Sequence, residues 1–247
     1  MTMLRKLWAL ALASVMAFPA LARPDDEPDN SVAYQQVVGS VVYIKAIDHN
    51  WNFYSGTGVV VNAERGEILT AFHVVDDCLC AAMPPIRDKQ GDIVTDPARY
   101  SNIDDASQCV VVATLEGRDL ALIRWKQPRK GLKAIPVAAK SASPGQSLFC
   151  IGNGANMRFR YSGGSCRQVA EESYTTTADQ KISAKILTTS CPIDGGDSGS
   201  PVLSRSGELL GIVSSTRKDL NQIHHSIDLS EIRYLLSWWE ENREKKP

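Results

Sequence analysis

This sequence has little net charge and few long apolar runs. Its 27 Lys and Arg residues are nearly balanced by 28 Asp and Glu residues, so the formal net charge is −1. There is thus no electrostatic case for binding nucleic acid or an anionic membrane. No long apolar run follows residue 22, so no membrane-spanning helix is expected there. Hydrophobic residues still make up 43% of the 247 residues, enough for a sizeable core.

Residues 1–22 have the character of a secretory signal peptide. Arg5 and Lys6 provide a positive start, an apolar stretch follows, and small residues offer a cleavage site before Arg23. The apolar stretch is short for a stable transmembrane helix, although an uncleaved anchor is the alternative interpretation. We therefore expect a periplasmic or secreted protein without membrane association after cleavage. Residues 23–36 begin acidic and Pro-rich and are predicted to form a flexible leader.

Six cysteines follow the signal segment, and an even number in an exported chain suggests up to three disulfide bonds. Cys150 and Cys166 flank a Gly-rich turn and are predicted to pair across a hairpin. Either Cys78 or Cys80 is expected to reach Cys109. A metal site is the rival interpretation, but the single residue between Cys78 and Cys80 falls short of the usual zinc spacing. No metal and no cofactor are therefore expected.

Residues 195–201 (Gly-Gly-Asp-Ser-Gly-Ser-Pro) are the most informative stretch of the chain. Glycines adopt backbone angles that other residues avoid, and they let a carbonyl group approach the main chain closely. A tight turn of this kind exposes the Ser198 hydroxyl, and its N–H groups can converge on one point, as an oxyanion requires. The same turn is also compatible with an ordinary loop, so a catalytic interpretation requires partners for Ser198.

A serine hydroxyl becomes an effective nucleophile when a base takes its proton and a third group orients that base. Histidine is rare, with four residues in the chain. His73 lies near the end of an apolar run and is soon followed by Asp76 and Asp77, which favours the end of an element over a buried core position. Asp119 opens a second apolar run, where a carboxylate is either a turn cap or a buried orienting group.

Together these segments resemble the trypsin-like, chymotrypsin-fold serine endopeptidases. Residues 70–75 (Thr-Ala-Phe-His-Val-Val) resemble that family's histidine motif, 119–123 (Asp-Leu-Ala-Leu-Ile) its aspartate motif, and 196–201 (Gly-Asp-Ser-Gly-Ser-Pro) its serine motif. Residues 56–61 (Gly-Thr-Gly-Val-Val-Val) resemble the Gly-x-Gly strand that precedes the histidine. The order His, Asp, Ser is that of this family and differs from the order in α/β-hydrolases. The resemblance covers residues 37–236.

The resemblance implies a bacterial exported serine endopeptidase that hydrolyses protein or peptide substrates through an acyl-enzyme. Ser198 is then the nucleophile, His73 the general base and Asp119 the group that orients the imidazole. Gly196, Asp197 and Ser198 are expected to form the oxyanion hole. No PDZ domain is expected after the second barrel, because the remaining sequence is accounted for by a helix.

The sequence indicates substrate specificity less clearly than it indicates the catalytic residues. In trypsin-type enzymes an acid six positions before the serine selects Lys or Arg, and that position is Pro192 here. Ser214, Ser215 and Thr216 are small and polar and are predicted to line one wall of the substrate pocket. His225, or its histidine neighbour, is expected to favour Glu or Gln at the cleaved position; an exposed loop histidine is the alternative.

Asp197 departs from one branch of the resembled family. The bacterial Do/HtrA-like proteases often carry Asn at this position, whereas in trypsin-type zymogens an Asp here pairs with a newly formed N-terminus. The stretch beginning at Val37 superficially resembles such an N-terminus. Because residues 40–44 are better explained as the first barrel strand, activation through Val37 is not expected. The sequence therefore leaves open what holds the turn around Asp197.

Short apolar runs separated by turn residues predict strands over most of the chain. The expected fold is all-β, with two antiparallel six-stranded β-barrels of chymotrypsin type over 37–133 and 134–228. Helical spacing predicts a C-terminal α-helix within 229–247, capped by Asp228 or Ser230. The predicted strands are 41–46, 58–61, 67–70, 110–115, 120–125, 147–151, 167–170, 185–189, 202–203, 209–214 and 225–228.

Two other functions are compatible with the same residues. One is a catalytically silent binding protein built on a protease fold, and the other is an esterase-like acyl hydrolase. A reactive Ser198 would exclude the first, and the barrel-like strand pattern favours peptide over ester substrates. The sequence leaves the oligomeric state undetermined.

Overall fold

Twelve β-strands and two α-helices form the described structure, a computed structural model that describes residues 30–102, 104, 107–127, 129–175, 180–216 and 223–245. The first six strands are β1 (Val41–Asp48), β2 (Phe53–Asn62), β3 (Glu67–Thr70), β4 (Cys78–Met83), β5 (Gln108–Leu115) and β6 (Leu120–Trp125). The second six are β7 (Ser147–Gly152), β8 (Arg160–Thr175), β9 (Lys181–Thr189), β10 (Pro201–Ser204), β11 (Leu209–Thr216) and β12 (His224–Asp228). The helices are α1 (Ser31–Val37) and α2 (Leu229–Asn242).

Each set of six strands closes into an antiparallel barrel. The first barrel has the order β1-β2-β3-β6-β5-β4, and pairing of β1 with β4 closes it. The second has the order β10-β11-β12-β9-β8-β7 and is closed by β10 and β7. The predicted all-β fold of two six-stranded barrels with a C-terminal helix is confirmed. The barrels are separated by the stretch between the end of β6 and the start of β7, which contains the predicted division at 133/134.

Alternation along the strands both fills each barrel and joins the two. In β1, Val42 and Ile44 belong to the cluster of side chains that fills the first barrel. Val41 and Tyr43 project to the other face, because successive strand residues point in opposite directions. They join a second cluster that includes Phe149 of the other barrel. One continuous core therefore fixes the barrels relative to each other, and loops at their junction are held from both sides.

The predicted leader differs from the structure over its last residues. Residues 1–29, which include the predicted signal peptide, lie outside the described residues, but the stretch from Ser31 folds as α1. Ala33, Tyr34 and Val37 share one helix face and pack on the core between the barrels. The Tyr34 hydroxyl also donates to the Phe159 carbonyl oxygen at 2.8 Å. The acidic, Pro-rich composition ends before this helix, and the apolar face favours docking.

β4 is the strand that sequence patterns did not predict. Its residues are Cys-Leu-Cys-Ala-Ala-Met, without a β-branched side chain, so local propensity gives a weak signal. The strand is instead stabilised by pairing with β1, in which Tyr43 lies opposite Met83 of β4. The described residues between β4 and β5 are mostly irregular and include a 3₁₀ turn at Pro97–Tyr100.

α2 begins where the sequence predicted and packs against strands of both barrels. The Asp228 carboxylate accepts hydrogen bonds from the N–H and the hydroxyl of Ser230, at 3.0 and 2.8 Å. This is an N-terminal cap, which satisfies a helix N–H that has no partner within the helix. Ile232, Leu235 and Trp239 lie on the buried face of the helix. Among the described residues, no helix has the length and apolar character required to cross a membrane.

The six cysteines are free thiols in the structure. Cys150 faces Ser162 across the β7–β8 pair, so Cys166 lies four positions further along β8. Four strand residues span about 13 Å, and two cysteines can be bridged only when their Cα atoms are within about 7 Å. The predicted Cys150–Cys166 pair is therefore wrong. Cys150 instead lies in the same buried cluster as Cys191, and its interaction with Cys191 raises the pKa of the Cys150 thiol. Cys80 lies directly opposite Cys109.

Candidate active site

The pairing of two strands brings His73 to Asp119. His73 lies in a short 3₁₀ turn after β3, and Asp119 directly precedes β6. β3 and β6 are antiparallel, with Thr70 opposite Ala121, so the chain leaving one strand meets the chain entering the other. His73 Nδ1 lies 2.9 Å from both Asp119 oxygens, and the His73 backbone N–H donates to Asp119 Oδ1 at 3.0 Å. The imidazole is thereby fixed with Nε2 directed away from Asp119.

Asp119 is a buried carboxylate whose charge is well compensated. It has no solvent-exposed surface and a left-handed backbone conformation (φ 50°). The Ser214 hydroxyl of β11 donates to its Oδ2 atom, in addition to the two donors from His73. Three hydrogen bonds allow a carboxylate to remain ionised away from water. The Ser214 contact also ties the second barrel to a residue of the first.

The charge of Asp119 acts in turn on His73. Burial by itself lowers the pKa of His73, but the hydrogen bond to Asp119 and the negative charge of Asp119 act in the opposite direction and outweigh it. The pKa of His73 is therefore raised above its ordinary value. An imidazole with a raised pKa is a stronger base, which favours its role as a general base.

Backbone contacts hold Ser198 between the barrels. The Ser198 carbonyl oxygen accepts from the Thr57 N–H of β2 at 2.8 Å, and the Gly199 N–H donates to the Val213 carbonyl oxygen of β11 at 2.8 Å. A Cβ atom at Gly199 would lie 2.0 Å from the Thr57 oxygen, so only glycine allows this approach. A Cβ at Gly56 would lie 2.6 Å from Val74, the residue after His73, and 3.1 Å from the Ser198 oxygen. The Gly-x-Gly strand thus packs directly between the histidine and serine segments.

Two N–H groups of the serine turn are left available. The Asp197 N–H donates to the Asp194 carbonyl oxygen at 3.0 Å and is therefore occupied, so the prediction that it contributes to the oxyanion hole is wrong. Within the described part of the chain, the N–H groups of Gly196 and Ser198 donate no hydrogen bond. Gly196 has φ 102°, and a Cβ there would lie 2.8 Å from the Asn153 oxygen. Only glycine fits this backbone conformation so close to Asn153.

The Asp197 carboxylate is held inside the protein by an arginine. Arg160 Nη2 lies 2.6 Å from Asp197 Oδ2, and Asp197 is only 3% exposed. The N–H of Gly154 donates to Oδ1 at 2.7 Å, and the N–H of Asp194 to Oδ2 at 2.9 Å. Cβ atoms at Gly152 or Gly154 would overlap the carboxylate, at 2.1 and 2.2 Å. This arrangement answers the question that the sequence left open, since the carboxylate needs no chain terminus as partner.

The predicted pocket residues have diverse positions. Pro192 is exposed, and its carbonyl oxygen accepts from the Ser162 hydroxyl. Ser215 and Thr216 lie opposite His225 and His224 in the β11–β12 pair. The hydroxyl of Ser214 binds Asp119, as described above, and so does not line a pocket with its side chain.

The two histidines of β12 have different surroundings. His225 is 3% exposed, with Nε2 3.4 Å from Glu172 and its ring 5.0 Å from that of Tyr174. It is thus already engaged by protein groups. Burial lowers the pKa of His224, and the charges of Asp194 and Asp197 oppose this shift.

Arg160 and Tyr174 are the site residues that sequence reasoning missed. Arg160 opens β8 among other polar residues and resembles Arg158, which instead stacks over the Tyr43 ring at 4.0 Å. Tyr174 lies near the other end of β8, with its hydroxyl 2.9 Å from the Ser214 hydroxyl. Neither has a motif, and only the folding of β8 across the second barrel brings each to the site.

Comparisons with known proteins agree with this geometry. A family profile described as trypsin-like peptidase domain matches residues 56–212. The protein Protease Do-like 1, chloroplastic, from Arabidopsis thaliana is 26% identical over 190 residues, which are 72% of this chain. This chain spans 39% of the length of that relative.

Solved structures show the same fold at low sequence identity. The active form of the Rv3671c protease from M. tuberculosis superposes with a TM-score of 0.70 at 19% identity, covering 92% of this chain and 93% of that one. The serine endoprotease from Yersinia pestis has a TM-score of 0.62 at 20% identity, covering 84% of this chain and 65% of that one.

The region matched by the family profile includes His73, Asp119 and Ser198 and makes up more than half of the sequence. That match accords with three features of the structure: two closed barrels, the meeting of the histidine and aspartate segments, and a glycine-rich serine turn between the barrels. The chain belongs to the trypsin-like peptidases, a family of serine proteases.

Proposed function

We propose that this protein is a serine endopeptidase that cleaves peptide bonds through Ser198, His73 and Asp119. The observation that carries the proposal is the pair of 2.9 Å contacts from His73 Nδ1 to a fully buried Asp119. These contacts leave His73 Nε2 as the atom that accepts a proton. The backbone of the Ser198 turn is bound to β2, the strand whose Gly56 also packs against Val74, the residue after His73.

The proposed reaction is acyl transfer in two halves. Ser198 Oγ attacks the peptide carbonyl while His73 Nε2 takes its proton, and the imidazolium then protonates the departing amine. Water then attacks the resulting ester while His73 takes a proton from it. The imidazolium returns a proton to Ser198 Oγ, which frees Ser198 and the carboxylic acid. Asp119 keeps the proton on Nδ1 and stabilises the imidazolium. The negative charge that develops on the carbonyl oxygen is stabilised by the free N–H groups of Gly196 and Ser198.

Reaction with a fluorophosphonate probe tests this proposal without knowledge of the substrate. Such a probe phosphonylates a serine that has been activated by a neighbouring base, whatever the side-chain specificity of the enzyme. We expect one adduct on Ser198 in the native chain and none in Ser198→Ala, together with cleavage of denatured casein by the native chain only. Labelling without casein cleavage would favour an esterase, and no labelling would favour a catalytically silent protein.

We further propose that residues 1–22 direct export and that the mature chain carries two disulfides, Cys80–Cys109 and Cys150–Cys191. Residues directly opposite in an antiparallel pair have Cα atoms about 4.5–5.5 Å apart, within the range of a disulfide. Cys80 and Cys109 meet this condition, and Cys150 lies in one buried cluster with Cys191, whose interaction with it raises the pKa of the Cys150 thiol. Each bond forms by exchange with an external disulfide, which is reduced to two thiols as the cysteine pair is oxidised.

Burial sets when these bonds can form. It raises the pKa of Cys80 to about 11, so almost none of this thiol is ionised at neutral pH in the folded chain. The thiolate is the species that attacks a disulfide. Oxidation is therefore expected while the chain folds after export, rather than in the folded protein. An N-terminus at Arg23 in protein recovered from the periplasm or medium supports export, and an intact N-terminus in the cytoplasm contradicts it.

A further inference from the structure

The direction of the hydrogen bond between Ser214 and Tyr174 follows from proton counting. Ser214 Oγ carries one hydrogen, and the ionised Asp119 carboxylate can only accept, so the Ser214 hydrogen is donated to Asp119 Oδ2. The Tyr174 hydroxyl lies 2.9 Å from the same Ser214 oxygen. Since Ser214 has no second hydrogen, the Tyr174 hydroxyl must be the donor in this contact.

Several contacts hold the Tyr174 ring in place. It packs against the core that joins the barrels, and its centroid lies 5.0 Å from that of His225. Burial raises the pKa of Tyr174, and the nearby charge of Asp119 adds to this, while the Ser214 and Ser215 hydroxyls oppose it. The phenol thus stays protonated and remains a donor. The titratable groups around the ring are His225, Glu172 and Asp119.

We propose that Tyr174 is a positioning residue that acts through Ser214 on Asp119, and through Asp119 on His73. The proposal rests on the peptidase function proposed above. Donation from Tyr174 polarises the Ser214 hydroxyl and strengthens its bond to Asp119, because hydrogen bonds in a chain reinforce each other. It also fixes the Ser214 rotamer that faces the carboxylate. Without it, Asp119 keeps more of its negative charge and holds the His73 imidazolium more tightly.

The test is the pH dependence of Ser198 labelling by a fluorophosphonate in Tyr174→Phe. This change keeps the ring and its contact with His225 and removes only the hydroxyl. We expect labelling at pH 7 to be about 3- to 10-fold slower, the range that the loss of one hydrogen bond produces. We also expect the acid limb of the profile, the range in which the labelling rate falls as His73 becomes protonated, to move to higher pH. Glu172 and His225 are present in both proteins, so their titration cancels in the comparison.

A double-mutant cycle with Ser214→Ala separates this role from a general effect on packing. Ser214→Ala alone should move the acid limb in the same direction and at least as far. In the Ser214→Ala background, Tyr174→Phe should have no further effect, because the path to Asp119 is already broken. Tyr100→Phe is the matched control, since it removes a tyrosine hydroxyl that donates to the Val94 carbonyl oxygen at 2.8 Å and accepts from the Ile86 N–H at 2.9 Å.

The results divide cleanly between the two proposals. An unchanged rate and acid limb in Tyr174→Phe, or an equal loss with and without Ser214, overturns the positioning role while native labelling of Ser198 leaves the peptidase function standing. Absence of labelling in the native chain overturns both. If Tyr174→Phe lowers the urea concentration at the midpoint of unfolding, the acid limb of Ser214→Ala decides. An acid limb of Ser214→Ala at the same pH as in the native chain overturns the proposal.

Discussion

Arg160 Nη2 lies 2.6 Å from the Oδ2 atom of Asp197, the residue immediately before Ser198. The ion pair is largely buried, with 20% of the Arg160 side chain and 4% of the Asp197 side chain exposed. A guanidinium from β8 therefore occupies the place where an activating chain terminus was considered from the sequence. The serine turn has its ion-pair partner within the folded chain, and we infer that it forms without proteolytic processing at Val37.

Removal of the guanidinium should disable the turn. In Arg160→Met the Asp197 carboxylate loses its charged partner, and leaving a buried charge unpaired typically costs about 3–5 kcal/mol. We expect the carboxylate to turn toward water and carry the Gly196 N–H out of place. Loss of one oxyanion donor slows acyl transfer about 10²- to 10³-fold, and labelling of Ser198 should fall to that extent.

A second change at Asp197 distinguishes this mechanism from general unfolding. In Arg160→Met with Asp197→Asn, no buried charge is left unpaired, and the side-chain oxygen can still accept from Gly154. We expect this double variant to regain most of the lost labelling rate. Arg158→Met, which removes a neighbouring buried arginine that stacks on Tyr43, is the control and should retain labelling. A double variant as inactive as Arg160→Met would refute the assigned role of Arg160.

The raised pKa of His73 predicts a specific response to Asp119→Asn. The neutral imidazole is the base, so the rate is lost as pH falls through the His73 pKa. In the native chain this midpoint should lie above about 6.5, the ordinary value for histidine. Asp119→Asn removes the hydrogen bond and the charge that raise the pKa but leaves the burial that lowers it.

The acid limb of Asp119→Asn should therefore lie at lower pH than in the native chain. Its plateau should be lower by about 10⁴-fold, because an amide favours the wrong imidazole tautomer. Labelling rates of Ser198 measured across pH check both values. An acid limb that moves to higher pH in Asp119→Asn would show that Asp119 does not control His73.

Trp239 is predicted to stabilise the attachment of α2 to the first barrel. Its indole N–H donates at 2.8 Å to Oε1 of Glu67, which is 1% exposed and also binds Arg65. In Trp239→Phe a buried carboxylate loses a donor and a cavity forms, so we expect a loss of about 2–3 kcal/mol in the free energy of unfolding by urea. Trp238→Phe changes a side chain that is 38% exposed and should cost less than about 0.5 kcal/mol. Equal losses in the two variants would contradict this account.

The cysteine pairs make a prediction that is independent of activity. Peptide mapping of exported protein under non-reducing conditions should find Cys80 linked to Cys109 and Cys150 linked to Cys191. Cys78 and Cys166 should be alkylated without prior reduction. Oxidised glutathione added to folded, reduced protein should form these bonds much more slowly than the same reagent present during refolding. A Cys150–Cys166 peptide, or six alkylated cysteines in exported protein, would refute the pairing.

Local patterns predicted the fold, and they marked the residues proposed for the site, for identifiable reasons. Barrel strands such as Leu120–Trp125 are mostly apolar, and the glycines around Ser198 are required by close backbone approaches of the kind seen at Gly199. β4 escaped prediction because its strand state comes from pairing with β1 rather than from propensity. Its partners are remote in sequence, and no local pattern contains that information.

The same distinction applies within the site. His73, Asp119 and Ser198 lie in short motifs whose residue types follow from the chemistry. Arg160 and Tyr174 contact residues 37 and 40 positions away along the chain, and each is an ordinary strand residue in its own segment. Such contacts within the second barrel can be identified only when the register of β8 against its neighbouring strands is known.

Mass spectrometry of the chain after reaction with a fluorophosphonate tests the central claim most directly. We predict a single adduct that maps to Ser198 in the native protein, a rate lowered by orders of magnitude in His73→Ala, and no adduct in Ser198→Ala. Equal labelling of Ser198→Ala and the native chain, or a native chain that stays unmodified while correctly folded, would contradict the assignment of Ser198 as an activated nucleophile.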